Sequence, residues 1–173
     1  MSRALPVPSL DPEASLGTNA RRVLAVRVDE LFSYAPIIPD AEATEALHDA
    51  RIATKRLRYT LELFPSVYGD EGEQVIERLK DLQEDLGALH DHDVRIAMID
   101  EGLSALEDRT DEDASALRPG LEALLGRERT ARVAYHTAVV ERWRGLERER
   151  VQERLTALSG PSSLVIGSGT PAV

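Results

Sequence analysis

The sequence contains no cysteine, which excludes disulfide bonds, thiolate catalysis and cysteine-ligated metal sites. Aromatic residues make up only 4% of the chain, so any core must be built mainly from aliphatic side chains. No apolar run approaches the roughly 20 residues of a membrane-spanning helix. Residues 1–30 lack the charged start and apolar centre of a signal peptide. We therefore expect a soluble, cytoplasmic protein with no membrane partner.

Positive charge is also scarce. The chain has 31 acidic residues against 21 basic ones, a net charge of −10, and only two of the bases, Lys55 and Lys80, are lysines. This balance disfavours general nucleic-acid binding, so no nucleic-acid partner is expected. A polyanion would have to bind at a local basic surface.

The residues that dominate the chain are Leu, Ala, Glu and Arg, which are strong helix formers, and no segment alternates like a strand. The fold class expected is all-α, an antiparallel four-helix bundle over residues 16–158. A flexible N-terminal segment, 1–15, and a disordered C-terminal tail, 159–173, are expected to flank it. Periodicity and stop signals place the helices at about residues 16–35, 48–64, 71–106 and 121–158.

Two local signals set helix starts in this prediction. Asp40 is the expected N-cap of the second helix. Pro119 and Gly120 are expected to mark the entry to the last helix.

The second predicted helix carries a basic stripe. Winding it at 3.6 residues per turn leaves an apolar stripe with Leu57 on the opposite side. Like charges at this spacing repel by a few tenths of a kcal/mol per pair, so the row is tolerated best with an anion on it. The plain alternative is a solvated surface, although such surfaces usually interleave acids with bases. The stripe consists of His48, Arg51, Lys55, Arg58, Tyr59 and Glu62.

The other helices supply further candidates. Gly87 interrupts the third helix at a cost of roughly 1 kcal/mol relative to Ala, and a glycine there often lets a backbone or ligand approach closely. Arg27 falls within the apolar face of the first helix, where it would either play a structural role, as a snorkelling residue or a core ion pair, or point into a cleft as a cation. Helical phase brings Arg132 and Arg142 near the inner face of the last helix.

Two segments resemble the CHAD family, α-helical domains named for their histidines. Residues 48–59, His-Asp-Ala-Arg-Ile-Ala-Thr-Lys-Arg-Leu-Arg-Tyr, are similar to the family pattern His-x-x-Arg-x-x-x-(Arg/Lys)-Arg-Leu-Arg. Residues 86–94, Leu-Gly-Ala-Leu-His-Asp-His-Asp-Val, are similar to Leu-Gly-x-x-Arg-Asp-x-Asp-Val, with His90 where many members have Arg. The resemblance implies a domain that binds inorganic polyphosphate without catalysis and associates with polyphosphate granules.

The same resemblance implies ligand contacts from His48, Arg51, Lys55, Arg58 and Lys80, and from His90 when it is protonated. Arg27, Arg132 and Arg142 are weaker candidates from helical phase alone. Tyr59, Asp91 and Asp93 are expected to support the site, with at least one of the two acids pairing a cation of the stripe. No cofactor and no metal are expected.

The family usually has two such helical units in tandem, whereas this chain shows the motif pair once. We therefore expect a single-unit member that forms a homodimer. Phe32 and Trp143 are the candidate apolar anchors of the contact.

Two other functions stay open. The clusters His48-Asp49 and His90-Asp91-His92-Asp93 suggest a metal-dependent phosphohydrolase, in which His90 and Asp93 could share one ion. Against this, His92 points away from His90, and His48 lies among cations that repel a metal. The third alternative is a structural helical interaction module.

Overall fold

The computed structural model describes residues 4–8, 10–107, 109 and 111–160, and all regular secondary structure in these ranges is helical. The all-α class is therefore confirmed. None of the helices in these ranges is both long and apolar enough to cross a lipid bilayer. The predicted tail falls outside the described residues beyond position 160, as do residues 1–3 of the predicted N-terminal segment. The helices are α1 (Leu16–Phe32), α2 (Thr44–Leu63), α3 (Pro65–Ser104), α4 (Glu112–Arg148) and α5 (Val151–Ser159).

The core is built from aliphatic side chains, as the scarcity of aromatics predicts. It lies where α2 packs between α1 and α3, with α4 against α3 and α5 against α1. One aromatic pair is part of it: Phe32 and Trp143 are both buried, with ring centroids 5.4 Å apart. Their expected role as exposed anchors of a dimer is therefore wrong. The fully buried large side chains include Leu24, Leu31, Leu57, Leu61, Leu79, Leu82, Leu86, Leu89 and Leu155.

The expected last helix is two helices, and it begins earlier than predicted. The Asp111 carboxylate caps α4 by accepting the Ala114 N–H at 3.0 Å, so Pro119 lies inside the helix instead of at its entry. Arg150 has a left-handed backbone conformation (φ 54°, ψ 39°), which interrupts the helix after α4, and α5 begins at the next residue. The four-helix count is thus replaced by five helices in the described ranges.

The second helix begins at Thr44, which is later than an N-cap at Asp40 would give and earlier than residue 48, where the stripe begins. Asp40 does not cap it: the carboxylate accepts the N–H of Glu42 at 2.9 Å and so closes the turn that precedes the helix. The residue at the N-cap position is Ala43, which has no side-chain oxygen to offer. The basic stripe is unaffected, because it begins at His48, well inside α2.

Gly69 reverses the chain early in α3, with φ 55° and ψ −157°, a conformation that is essentially restricted to glycine. We expect Gly69→Ala to lower the free energy of unfolding by about 1–3 kcal/mol. Gly126→Ala is the matched control, because Gly126 lies within α4 with open space around it, and alanine there should stabilise by up to ~1 kcal/mol. Chemical denaturation measures both values. Equal effects of the two substitutions would contradict this account of the turn.

Candidate functional site

The basic stripe of α2 packs along one flank of α3, and the two helices run antiparallel. The His48 and His90 rings lie against each other with centroids 4.3 Å apart. One turn further along α2, the Arg51 Nε atom lies 3.7 Å from the position that a Cβ atom on Gly87 would occupy. The missing side chain of Gly87 therefore leaves the space into which the Arg51 guanidinium group extends.

These two contacts fix the register of the helix pair. Continuing it by one turn on each helix brings Lys55 opposite Gln83, and a further turn brings Arg58 opposite Lys80. The residues predicted on two separate helices thus form one continuous surface. We call it the basic seam: His48, Arg51, Lys55 and Arg58 of α2 with Lys80, Gln83, Gly87 and His90 of α3.

Several polar atoms of the seam are buried and have no hydrogen-bond partner among the residues that the structure describes. They include the Nε atoms of Arg51 and Arg58, the Nδ1 atom of His48 and the Oε1 atom of Gln83, and the neighbouring Asp49 Oδ1 shares this property. Buried polar groups are almost always hydrogen-bonded, and each one left without a partner costs about 1–3 kcal/mol. The seam therefore keeps unused hydrogen-bonding capacity, and two of these atoms belong to the arginines Arg51 and Arg58.

Tyr59 holds two cations of the seam. Its ring lies 5.6 Å from Lys55 Nζ and 4.7 Å from Arg58 Cζ, so it attracts both through its π face. Lys55 is exposed and forms no ion pair with any described residue. The Arg58 guanidinium group lies 3.6 Å from the Glu62 carboxylate. Tyr59 therefore contacts both cations, and its supporting role in ligand binding stays a prediction.

The surroundings of His48 disfavour its protonated form. Burial lowers the pKa of His48 below its usual 6.5, and the neighbouring His90 and Arg51 lower it further, while Asp49 opposes them. Protonation of His48 would place another cation beside Arg51. An anion bound in the seam would favour that protonation.

Arg27 lies outside the seam and belongs to a core ion pair. Its side chain is 11% exposed, pairs with Glu30 and donates to the Leu5 carbonyl oxygen at 2.9 Å. Glu30 also accepts from Arg56 at 2.6 Å, so one buried carboxylate joins α1 to α2. Of the two alternatives for Arg27, the structure shows the core ion pair.

The two candidates on α4 are also paired with acids. Arg132 pairs with Asp93 and donates to the Ala41 carbonyl oxygen at 2.7 Å. Arg142 lies across α3, 3.1 Å from Asp85 and 3.3 Å from Asp81. Neither guanidinium group is part of the seam.

The acids of the second motif do not hold a cation of the stripe, and that expectation is wrong. Asp93 pairs with Arg132 of α4, and Asp91 is exposed and forms no ion pair within the described residues. The reason is helical phase, because Asp93 lies on the side of α3 that faces α4.

The arrangement of the His/Asp clusters does not favour a metal centre. In the ranges that the structure describes, no three His, Asp or Glu side chains come together around a position for an ion. His90 packs against His48, whereas His92 lies on the α4 side, with Nδ1 2.6 Å from Glu128. The two residues proposed to share an ion, His90 and Asp93, thus have different partners.

Comparison with known families gives one match. The family model described as the CHAD domain matches residues 2–100, which are more than half of the chain and include both motifs and all of the basic seam. Comparisons with curated proteins and with solved structures gave no match.

Proposed function

The chain belongs to the CHAD domain family, which is associated with polyphosphate and phosphate metabolism, and on this premise we propose that its basic seam binds inorganic polyphosphate. The cations lie in a row along an antiparallel helix pair, which suits a linear ligand with regularly spaced negative charges. Polyphosphate has no base or ring to recognise, so charge and hydrogen bonding supply the whole affinity.

The observation that supports this proposal most strongly is the set of unpartnered atoms in the seam. Arg51 and Arg58 each keep a buried N–H donor unused, and His48 keeps a ring nitrogen unused. Phosphate oxygens would accept from such donors, and charge-assisted bonds of this kind are about twice as strong as neutral ones. A solvated surface helix would leave no donors buried and unpaired, because water would reach them.

We further propose that the protein is a binding module and not an enzyme. Retention of a polyanion requires no nucleophile, general base, metal or cofactor. The seam takes its residues from two helices of one chain, so the proposal does not require a second copy. Homodimer formation stays a prediction, and light scattering coupled to size exclusion tests it.

The deciding experiment is a calorimetric titration of the full chain with long-chain polyphosphate, orthophosphate and duplex DNA at two salt concentrations. We expect polyphosphate to bind tightest and its affinity to fall steeply with salt, because binding releases condensed counterions. Duplex DNA binding as tight as polyphosphate, or polyphosphate affinity that salt does not change, would refute the proposal.

The binding should also depend on pH through His48. The pKa of His48 is lower in the folded, ligand-free protein than in the unfolded chain. On acidification the unfolded chain therefore takes up a proton at His48 before the folded protein does, so lowering the pH through 6.5 reduces the stability of the ligand-free protein. A bound phosphate chain favours the protonated ring, so affinity should rise as pH falls from 8 toward about 6. His48→Gln should flatten this rise in titrations across the range. An unchanged pH profile in that variant would exclude His48 as a ligand contact.

A further inference from the structure

The acids around the basic seam set a limit on what it can hold. Building on the proposed function, we propose that the seam accepts only a short run of phosphate units, with acidic side chains at both ends that oppose extension of the bound chain. The ligand class would then be short oligophosphates, or short stretches of a longer polymer that leave the seam at either end.

The seam itself is short. From His48 to Arg58 the basic stripe of α2 advances ten residues, or about 15 Å at 1.5 Å per residue. On α3 the facing flank runs from Lys80 to His90, which is the same distance in the opposite direction. The cations that could contact one phosphate chain lie within this length.

At the Arg58 end the seam meets a group of carboxylates. Glu62 lies 3.6 Å from Arg58, and Glu77 lies 2.7 Å from Lys80. Together with Glu73 they line a cavity of about 410 Å³, into which a chain continuing past Lys80 would pass. Lys80 is the one cation that lines this cavity among the described residues, so each further phosphate there would face three carboxylates and gain no new cation.

At the histidine end the next turn of each helix also lacks an available cation within the described residues. Glu45 is exposed one turn before His48 on α2, and Asp91 is exposed immediately after His90 on α3. Two guanidinium groups of α4 line a cavity at this end, and both have acidic partners. Arg132 is largely buried and pairs with Asp93, and the exposed Arg129 lies 3.3 Å from Asp100. A chain extending past the histidine pair would again meet acids.

Repulsion at both ends predicts how affinity depends on chain length. Up to the length of the seam, each added phosphate gains a cationic contact and releases counterions. Beyond it, added phosphates meet carboxylates and gain nothing. A longer chain then benefits only from offering more positions at which a run of the right length can bind.

The test is a length series on the full protein, with tripolyphosphate, a chain about twice the length of the seam, and a chain many times longer. Tripolyphosphate is shorter than the seam and should bind at least about tenfold more weakly than the middle chain, because it forms fewer charge-assisted bonds. The two longer chains should bind equally after correction for the number of binding positions. Their affinities should fall with salt at the same slope, since the slope counts the phosphates neutralised.

Two double variants make the test specific. Glu62→Gln combined with Glu77→Gln removes the acids at the Arg58 end and should increase the preference for the longest chain, with a steeper salt slope. Glu101→Gln combined with Glu122→Gln changes the net charge equally at exposed positions outside the seam and should leave the preference unchanged.

The outcomes separate this inference from the proposed function. Corrected affinity and salt slope that keep increasing with length in the unmodified protein would overturn the length limit while polyphosphate binding stands. The same increase of preference in both double variants would show a general charge effect and also overturn it. Failure of every chain to bind would remove the proposed function itself.

Discussion

Replacing Arg51 with methionine should weaken polyphosphate binding by about tenfold or more and leave the protein at least as stable as before. A hydrogen bond to a charged group contributes about 1.5–3 kcal/mol, and 1.4 kcal/mol corresponds to a tenfold change in affinity. Arg51 Nε is buried without a partner, so its removal also relieves a desolvation penalty. Methionine keeps an apolar stem of similar length and removes the guanidinium group that extends beside Gly87.

The matched control is Arg144→Met. Arg144 is 59% exposed on α4, pairs with Glu141 and lies outside the seam, so this variant has the same change of charge without the loss of a seam contact. Calorimetric titration and thermal unfolding of both variants give the two quantities. If Arg51→Met unfolds the protein, Arg51 is structural. If both variants lose affinity equally, net charge and not the seam determines binding.

Leu57→Ala should have the largest effect on stability, lowering the free energy of unfolding by about 2–5 kcal/mol. Leu57 is completely buried on the apolar stripe of α2, opposite the basic stripe. Truncation to alanine removes apolar contacts and leaves a cavity that the surrounding leucines fill only in part. For a chain of this size, each kcal/mol shifts Tm by roughly 2–4 °C, so a decrease of about 4–20 °C is expected.

Leu63→Ala serves as its control on the same helix. Leu63 is 70% exposed at the last residue of α2, so the same truncation there should change stability by no more than about 0.5 kcal/mol. Differential scanning calorimetry compares the two variants directly. A loss for Leu63→Ala as large as that for Leu57→Ala would mean that the two faces of α2 are assigned incorrectly.

Together the two variants separate the roles of the two faces of α2. The face with Leu57 stabilises the fold, and the face with Arg51 leaves donors unpaired and cations adjacent. Binding sites commonly reduce the stability of a protein, because polar groups that are arranged for a ligand lack hydrogen-bond and ion-pair partners when the ligand is absent. Bound polyphosphate should accordingly raise Tm in proportion to its affinity.

The sequence by itself determined the helical class and the basic face of α2. Helical periodicity is a local property, so the spacing from His48 to Arg58 was sufficient to place these side chains on one stripe and Leu57 on the other. The two motifs were likewise readable as family features, and the match over residues 2–100 confirms the family. The family resemblance added Lys80 and His90 of α3 as candidate contacts.

Helix ends were less predictable because they depend on competing local interactions. The carboxylate of Asp40 closes a turn instead of capping α2, and Asp111 starts α4 before Pro119. At each of these helix ends, the carboxylate can accept from more than one backbone N–H, and the alternative hydrogen bonds have similar strength. The sequence pattern alone does not show which of them forms.

Only the tertiary structure decided which charges remain available. Helical phase offered Arg27, Arg132 and Arg142 as weaker candidates, and each has an acidic partner from Glu30, Asp93 or Asp85. Arg58 and Lys80 of the seam pair with Glu62 and Glu77 at its end, whereas Lys55 forms no ion pair with a described residue. Some of these acids are close in sequence and others lie on a different helix, so their pairing depends on how the helices pack. The contact between the His48 and His90 rings has the same origin, since it joins residues 42 positions apart. Periodicity places a side chain on a face of its own helix, whereas packing determines what that face meets.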